Sequence, residues 1–188
     1  MSLLHLSKLE AGLPPLADNF QSGRFEASLG TGFFISPFIN TAQRPTVDYM
    51  MTELQLGYML TDVRGPGMLR GNLECAAAVF GDDIFRGRGN YISGTTFWLR
   101  YNFVPAAGRF VPYAQLGGGV TETDLDRRIE GRNFNFNLGL GVGVRCLLAP
   151  NWSANLEYRY QHISNAGTSY PNVGINADGP VISLSYFF

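Results

Sequence analysis

From Arg24 onward the chain alternates apolar and polar positions with a period of two, as a β-strand does when its two faces meet different surroundings. Over residues 152 to 163, Trp152, Ala154, Leu156, Tyr158 and Tyr160 alternate with Ser153, Asn155, Glu157, Arg159 and Gln161. The preceding segment sorts in the same way: Phe134, Phe136, Leu138, Leu140, Val142 and Val144 stand against Asn135, Asn137, Gly139, Gly141, Gly143 and Arg145. A helix would not separate residues by parity. The pattern predicts strands over 24–36, 47–61, 69–80, 92–103, 110–121, 134–148, 152–163 and 180–188. The connections alternate too: "TDVRGPGM", "VPAAGR" and "LAPN" are short, whereas residues 37–46, 81–91, 122–133 and 164–179 form longer, more polar stretches. An up-and-down antiparallel sheet of eight strands with one tight end and one loopy end has this rhythm, and eight strands can close into a barrel whose interior side chains fill.

Composition narrows the class. The chain has 188 residues, 23 of them Gly, with 13% aromatic and only 15% charged, a mixture suited to curved β-structure. That length implies one domain, here an N-terminal segment over 1–23 and a barrel over 24–188. A formal net charge of -1 removes the basic excess that would announce a nucleic-acid partner. No run reaches the ~18 to 20 apolar residues of a membrane helix. The first 23 residues lack the basic start and continuous apolar stretch of an export signal, so they read as a signal remnant, a periplasmic segment or an added one. Cys75 and Cys146 have neither disulfide-framework nor zinc spacing, and read as small buried side chains.

A barrel with one apolar parity can face either way: inward around a ligand in water, or outward against lipid. The polar parity carries Glu26, Glu53, Glu74 and Glu157 with Arg70, Arg100, Arg145 and Arg159, and many of its remaining positions are Gly, Ser or Asn. Acids and bases matched in this way form an internal ion-pair network. A solvated face would carry lysine, and Lys8 is the chain's only one. The apolar parity is rich in aromatics near strand ends, among them Phe25, Tyr58, Phe97, Tyr101, Phe103, Trp152 and Tyr186, as the interfacial girdles of a membrane barrel require. "VISLSYFF" is similar to the C-terminal assembly signal of bacterial outer-membrane proteins. The expected fold is therefore an all-β, eight-stranded antiparallel transmembrane barrel. With the short turns periplasmic, the longer loops face out of the cell.

Strand parity gives His162 and Ser164 the lipid side, with Leu156, Tyr158 and Tyr160. Ten residues of tilted strand climb roughly 25 Å at ~3.3 Å per residue and a tilt near 40°, which brings the pair to the outer-leaflet interface. Polar side chains are least expected there. Imidazole beside a hydroxyl is the minimum set for an activated serine, although a wet strand end before a loop would look the same.

"HISNAG" followed by "PNVGIN", on the penultimate strand and last outer loop of such a barrel, resembles the outer-membrane lipid A 3-O-deacylase family, PagL. The resemblance implies a serine esterase acting on lipid A or lipopolysaccharide in the outer membrane, with no metal or organic cofactor. It implies Ser164 as nucleophile, His162 as general base, and an oxyanion hole from Asn165 and the N–H groups of Ala166 and Gly167. The family's orienting acid is a glutamate at the position of Asn176. An asparagine oxygen can hold the imidazole but cannot neutralise the imidazolium, and Asp178, of the same parity, is the substitute to consider. Gly179 and Pro180 are expected to distort the start of the last strand.

Two other readings stay open at the level of sequence: a non-catalytic outer-membrane barrel, structural or adhesive, and a soluble ligand-binding barrel. Arg86, Arg88, Arg127, Arg128 and Arg132 lie in outer loops, where arginine would suit lipid phosphates or a mixed-charge solvated surface. The oligomeric state is left open, a homodimer included.

Overall fold

The computed structural model describes residues 16–36 and 45–188. Eight antiparallel strands follow chain order: β1 (Phe25–Phe34), β2 (Asp48–Met59), β3 (Gly71–Arg86), β4 (Tyr91–Phe103), β5 (Phe110–Thr123), β6 (Phe134–Ala149), β7 (Trp152–Ser164) and β8 (Ile175–Phe187). Each pairs with its neighbours and β8 returns to β1, closing the barrel. Among the described residues no helix is long and apolar enough to cross a membrane.

The parity rule sets which face is which. The apolar set points out: Leu54, Leu116, Leu138, Leu140, Val142 and Ile182 are each 57–61% exposed. The interior holds the charges. Arg145 reaches Glu26 at 2.6 Å and Glu74 at 2.9 Å, Arg100 reaches Glu74 at 2.9 Å, and Arg159 bridges Glu53 and Glu157 at 2.9 and 2.7 Å. Gln115 links the halves, accepting from Arg100 Nε and donating to Glu157. An interior of ion pairs beneath a bare apolar exterior is the solution for a barrel solvated by hydrocarbon, and it excludes the soluble-barrel reading. Arg70 corrects the expected network. It stands at the end of a short 3-10 helix before β3, where its guanidinium donates to the carbonyls of Val104 and Pro105. The four acids of the expected network are therefore served by three arginines, with Tyr113, Gln115 and Asn102 donating further hydrogen bonds.

Glycines on the inner face make room for this filling. A Cβ at Gly139 would overlap the Trp98 ring, and one at Gly141 would overlap the Glu157 carboxylate. Apolar layers cap the ionic one. At the turn end Phe20, Met59, Val104, Val111, Leu147 and Phe187 pack together; at the other end Phe34, Val47, Tyr49, Ile92, Leu125, Ile129 and Ile175 belong to a second cluster. Residues 1–15 lie outside the described residues. The segment that follows forms a 3-10 helix over Leu16–Phe20 whose Phe20 is fully buried against Phe187, so the chain begins packing on the barrel before β1.

Aromatic side chains gather at both rims. Phe25 packs on Tyr58 and Phe188, and Trp152 on Tyr186, at the turn end; Phe33 stacks on Phe85, and Phe134 packs on Phe136, at the loop end. Cys75 and Cys146 are free and half-exposed on the outward parity, not buried as their type suggested.

Two loops are shorter than their composition implied. Residues 81–86 continue β3, leaving 87–90 as the turn, and β8 starts at Ile175, leaving 165–174. Gly179 and Pro180 sit within β8, paired with Arg159 and Tyr158. Pro180 lies in the gap where β8's ladder to β1 lapses between Val181 and the isolated Ile35–Asp178 bridge, as expected of a residue that has no N–H to give.

Candidate active site

The loop end of β7 and the start of β8 bring three polar side chains onto the outer face. His162 lies directly opposite Asn176 in the β7–β8 register, and Ser164 is two residues further along β7 on the same side. His162 Nδ1 stands 2.6 Å from Asn176 Oδ1, and Nε2 stands 3.0 Å from Ser164 Oγ. An amide oxygen only accepts, so Nδ1 carries the proton and Nε2 keeps the lone pair that receives the serine O–H. This is the tautomer in which imidazole can act as a base toward serine. All three side chains are half-buried. On β6, Leu138 pairs with His162 and Phe136 with Ser164, so the polar chain is bordered by outward apolar groups.

Asp178 does not join this chain. It pairs across from Tyr160, and its carboxylate accepts a hydrogen bond from the Tyr158 hydroxyl. Asn165 corrects the expectation of an oxyanion donor. It is fully buried; its N–H is given to Glu130 Oε2 and Asn172 Oδ1, and its side chain bonds the Pro171 carbonyl and the Ser169 N–H. Ala166 and Gly167 follow with φ of 53° and 76°, exposed, and neither N–H finds a protein partner among the described residues.

Two residues that the sequence did not single out shape the site. Glu130, from the β5–β6 loop, is completely buried and accepts N–H bonds from Asn165 at 3.1 Å and Gly174 at 2.7 Å. Burial raises its carboxyl above the ordinary range, against the pull of these two donors. Gly174 has φ +70°, and a Cβ there would come 3.0 Å from His162 Cε1, so the backbone itself lies against the imidazole. Neither residue had a local signal: Glu130 looked like one more charge in "DLDRRIEGR".

Of the loop arginines, Arg88 pairs with Asp126 at 2.8 Å and Arg86 with Asp48 at 3.3 Å, as on a mixed-charge surface. Arg132 lies over the Phe134 ring and donates to Thr168. Among the described residues no three His, Cys, Asp or Glu side chains are grouped to hold a metal ion.

Comparison with known proteins bears on this geometry. Thirty-six chains of solved structure match. The crystal structure of the outer membrane enzyme PagL matches with a TM-score of 0.59 at 20% identity, covering 84% of this chain and 97% of that one. Neisserial surface protein A matches with a TM-score of 0.62 at 15% identity, over 89% and 98% of the two chains. The N-terminal barrel domain of Pseudomonas aeruginosa OprF gives 0.57 at 12%, over 89% and 98%. At these identities the likeness is one of fold, the outer-membrane β-barrel. No curated protein matches. The family model described as lipid A 3-O-deacylase (PagL) matches residues 69–185, more than half of the chain, from β3 into β8 and including the loop between the last two strands. This chain belongs to the PagL family of lipid A 3-O-deacylases.

Proposed function

We propose that this barrel is a serine esterase of the bacterial outer membrane, removing the 3-linked acyl chain of lipid A from the outer leaflet. The observation that carries the reading is the chain Ser164 Oγ to His162 Nε2 at 3.0 Å and His162 Nδ1 to Asn176 Oδ1 at 2.6 Å, on the lipid-facing side of the barrel.

The reaction follows from these atoms. Ser164 Oγ attacks the acyl carbonyl carbon as its proton passes to His162 Nε2. The carbonyl oxygen becomes an oxyanion, and the unpartnered N–H groups of Ala166 and Gly167 are the donors on hand to receive it. Collapse breaks the bond to the sugar oxygen, which leaves with the proton from His162. Water, deprotonated by His162, then cleaves the acyl-serine and regenerates the hydroxyl as the hydroxy fatty acid departs. Asn176 holds the ring through both proton transfers. The outward placement brings the site to acyl chains within their own leaflet, so no chain has to be drawn into water.

The test is direct. Purified barrel in detergent, incubated with lipid A, should release a hydroxy fatty acid and reduce the lipid's mass by one acyl group in a mass spectrum. Lipid A of unaltered mass after prolonged exposure to folded protein would overturn the reading.

Asn176 gives a second expected outcome. Asn176→Asp keeps the oxygen that faces Nδ1 and adds the charge that stabilises an imidazolium, so kcat should rise about tenfold, whereas Asn176→Leu should lower it by roughly 10²-fold. Initial rates at saturating lipid A check both. An aspartate variant slower than the parent would show that neutral orientation is what this site requires.

A further inference from the structure

The Ser164–His162–Asn176 chain is held from behind by a loop that carries none of its members. The β5–β6 loop runs alongside the last outer loop. The Gly131 N–H donates to the Pro171 carbonyl at 2.8 Å, the Val173 N–H donates to the Ile129 carbonyl at 3.0 Å, and Glu130 forms a β-bridge with Asn172. Ile129 and Leu125 of the first loop are buried in the apolar cap at this end of the barrel, so the loop is anchored to the interior. From that base the Glu130 carboxylate spends one oxygen on each shoulder of the last loop. Oε2 takes the N–H of Asn165, the residue after the serine, and Oε1 takes the N–H of Gly174, whose backbone abuts the imidazole.

We propose that Glu130 is the positioning residue of this site: its buried carboxylate ties the N–H groups of Asn165 and Gly174 together and so fixes the strand ends that aim Ser164 at His162. The inference rests on the esterase reading and adds to it the group that keeps the geometry. A carboxylate suits the task because it offers two acceptor oxygens to two donors facing it, and N–H bonds to a charged acceptor are roughly twice as strong as neutral ones. Glutamine offers one oxygen and must turn an NH2 toward the other donor, and alanine offers nothing.

The test compares the full-length barrel with Glu130→Gln and Glu130→Ala, and with Ser164→Ala as the null. Heat-modifiable mobility on gels reports that each barrel is folded. Lipid A turnover reports kcat and KM separately, and a fluorophosphonate probe reports the reactivity of the serine with no lipid A present. Misplacement of reacting groups by about 1 Å costs on the order of 10²-fold. Glu130→Ala should therefore lose about 10²-fold in kcat and in probe labelling, Glu130→Gln less, with KM changed by less than about twofold. In NMR spectra the amide protons of Asn165 and Gly174 should both move upfield in Glu130→Gln, since both lose a charged acceptor. If the parent labels and Ser164→Ala does not, yet folded Glu130→Ala labels at the parent rate, the positioning role is overturned while the esterase reading stands. Amide resonances unmoved in Glu130→Gln overturn it as well. A folded parent that neither labels nor deacylates overturns both readings together.

Discussion

Replacing Ser164 by alanine is expected to abolish deacylation of lipid A, with kcat falling at least about 10³-fold while the barrel stays folded. The variant deletes the atom that forms the acyl intermediate and frees His162 Nε2 of the hydroxyl now 3.0 Å away. Any residual rate comes from binding and from donors around the carbonyl, which do not depend on the serine. The structural cost is small. Ser164 is half-buried on the outer face at the last residue of β7, and its Oγ belongs to none of the interior network. Heat-modifiable mobility should match the parent, and lipid A should keep its full complement of acyl chains in the mass spectrum. Undiminished deacylation by the alanine variant would refute the assignment of the nucleophile.

The second large effect lies in the interior. Arg145→Met is expected to destabilise the barrel by about 3–5 kcal/mol, the usual consequence of removing one partner from buried ion pairs. Arg145 is completely buried, bonds Glu26 at 2.6 Å and Glu74 at 2.9 Å, and lies over the rings of Tyr113, Phe20 and Phe187. Once it is gone, two carboxylates are left to share Arg100, which already stands 2.9 Å from Glu74 and 3.6 Å from Glu26. Adding Glu26→Gln to the variant should recover part of the loss, because it removes the stranded charge without restoring the arginine. Urea unfolding of the folded protein in lipid vesicles, followed by gel mobility, measures both. A midpoint unchanged in Arg145→Met would mean that water entering the interior compensates the acids.

Much of this molecule is legible along the chain because the sheet's period of two is local. Trp152 to Gln161 declare their faces without help from any other segment, and counting on by twos puts His162 and Ser164 outside. The partners of that pair are not local. Asn176 falls opposite His162 only because β8 begins at Ile175 and pairs in one register with β7, whereas Gly179 and Pro180 read as a break. Pro180 sits in a gap of the β1–β8 pairing, between Val181 and the Ile35–Asp178 bridge, and that gap is a fact about a strand some 150 residues away in the chain. Arg70 shows the converse: it shares the parity of Glu74, but β3 starts only at Gly71, and beyond a strand's end parity no longer places a side chain. The roles of Glu130 and Asn165 come from two loops meeting 35 residues apart, where neither periodicity nor motif spacing carries information. Asn165 has a polar side chain beside a candidate nucleophile, which suggests a donor, yet the barrel's inward parity continues one residue past β7 and buries it.

The filled interior also bears on what this molecule does to the membrane that houses it. Guanidinium, carboxylate and indole groups occupy the axis and apolar clusters cap both ends, so the described residues fill the path that ions or small solutes would take. Its reconstitution into a planar bilayer is expected to add no steady conductance.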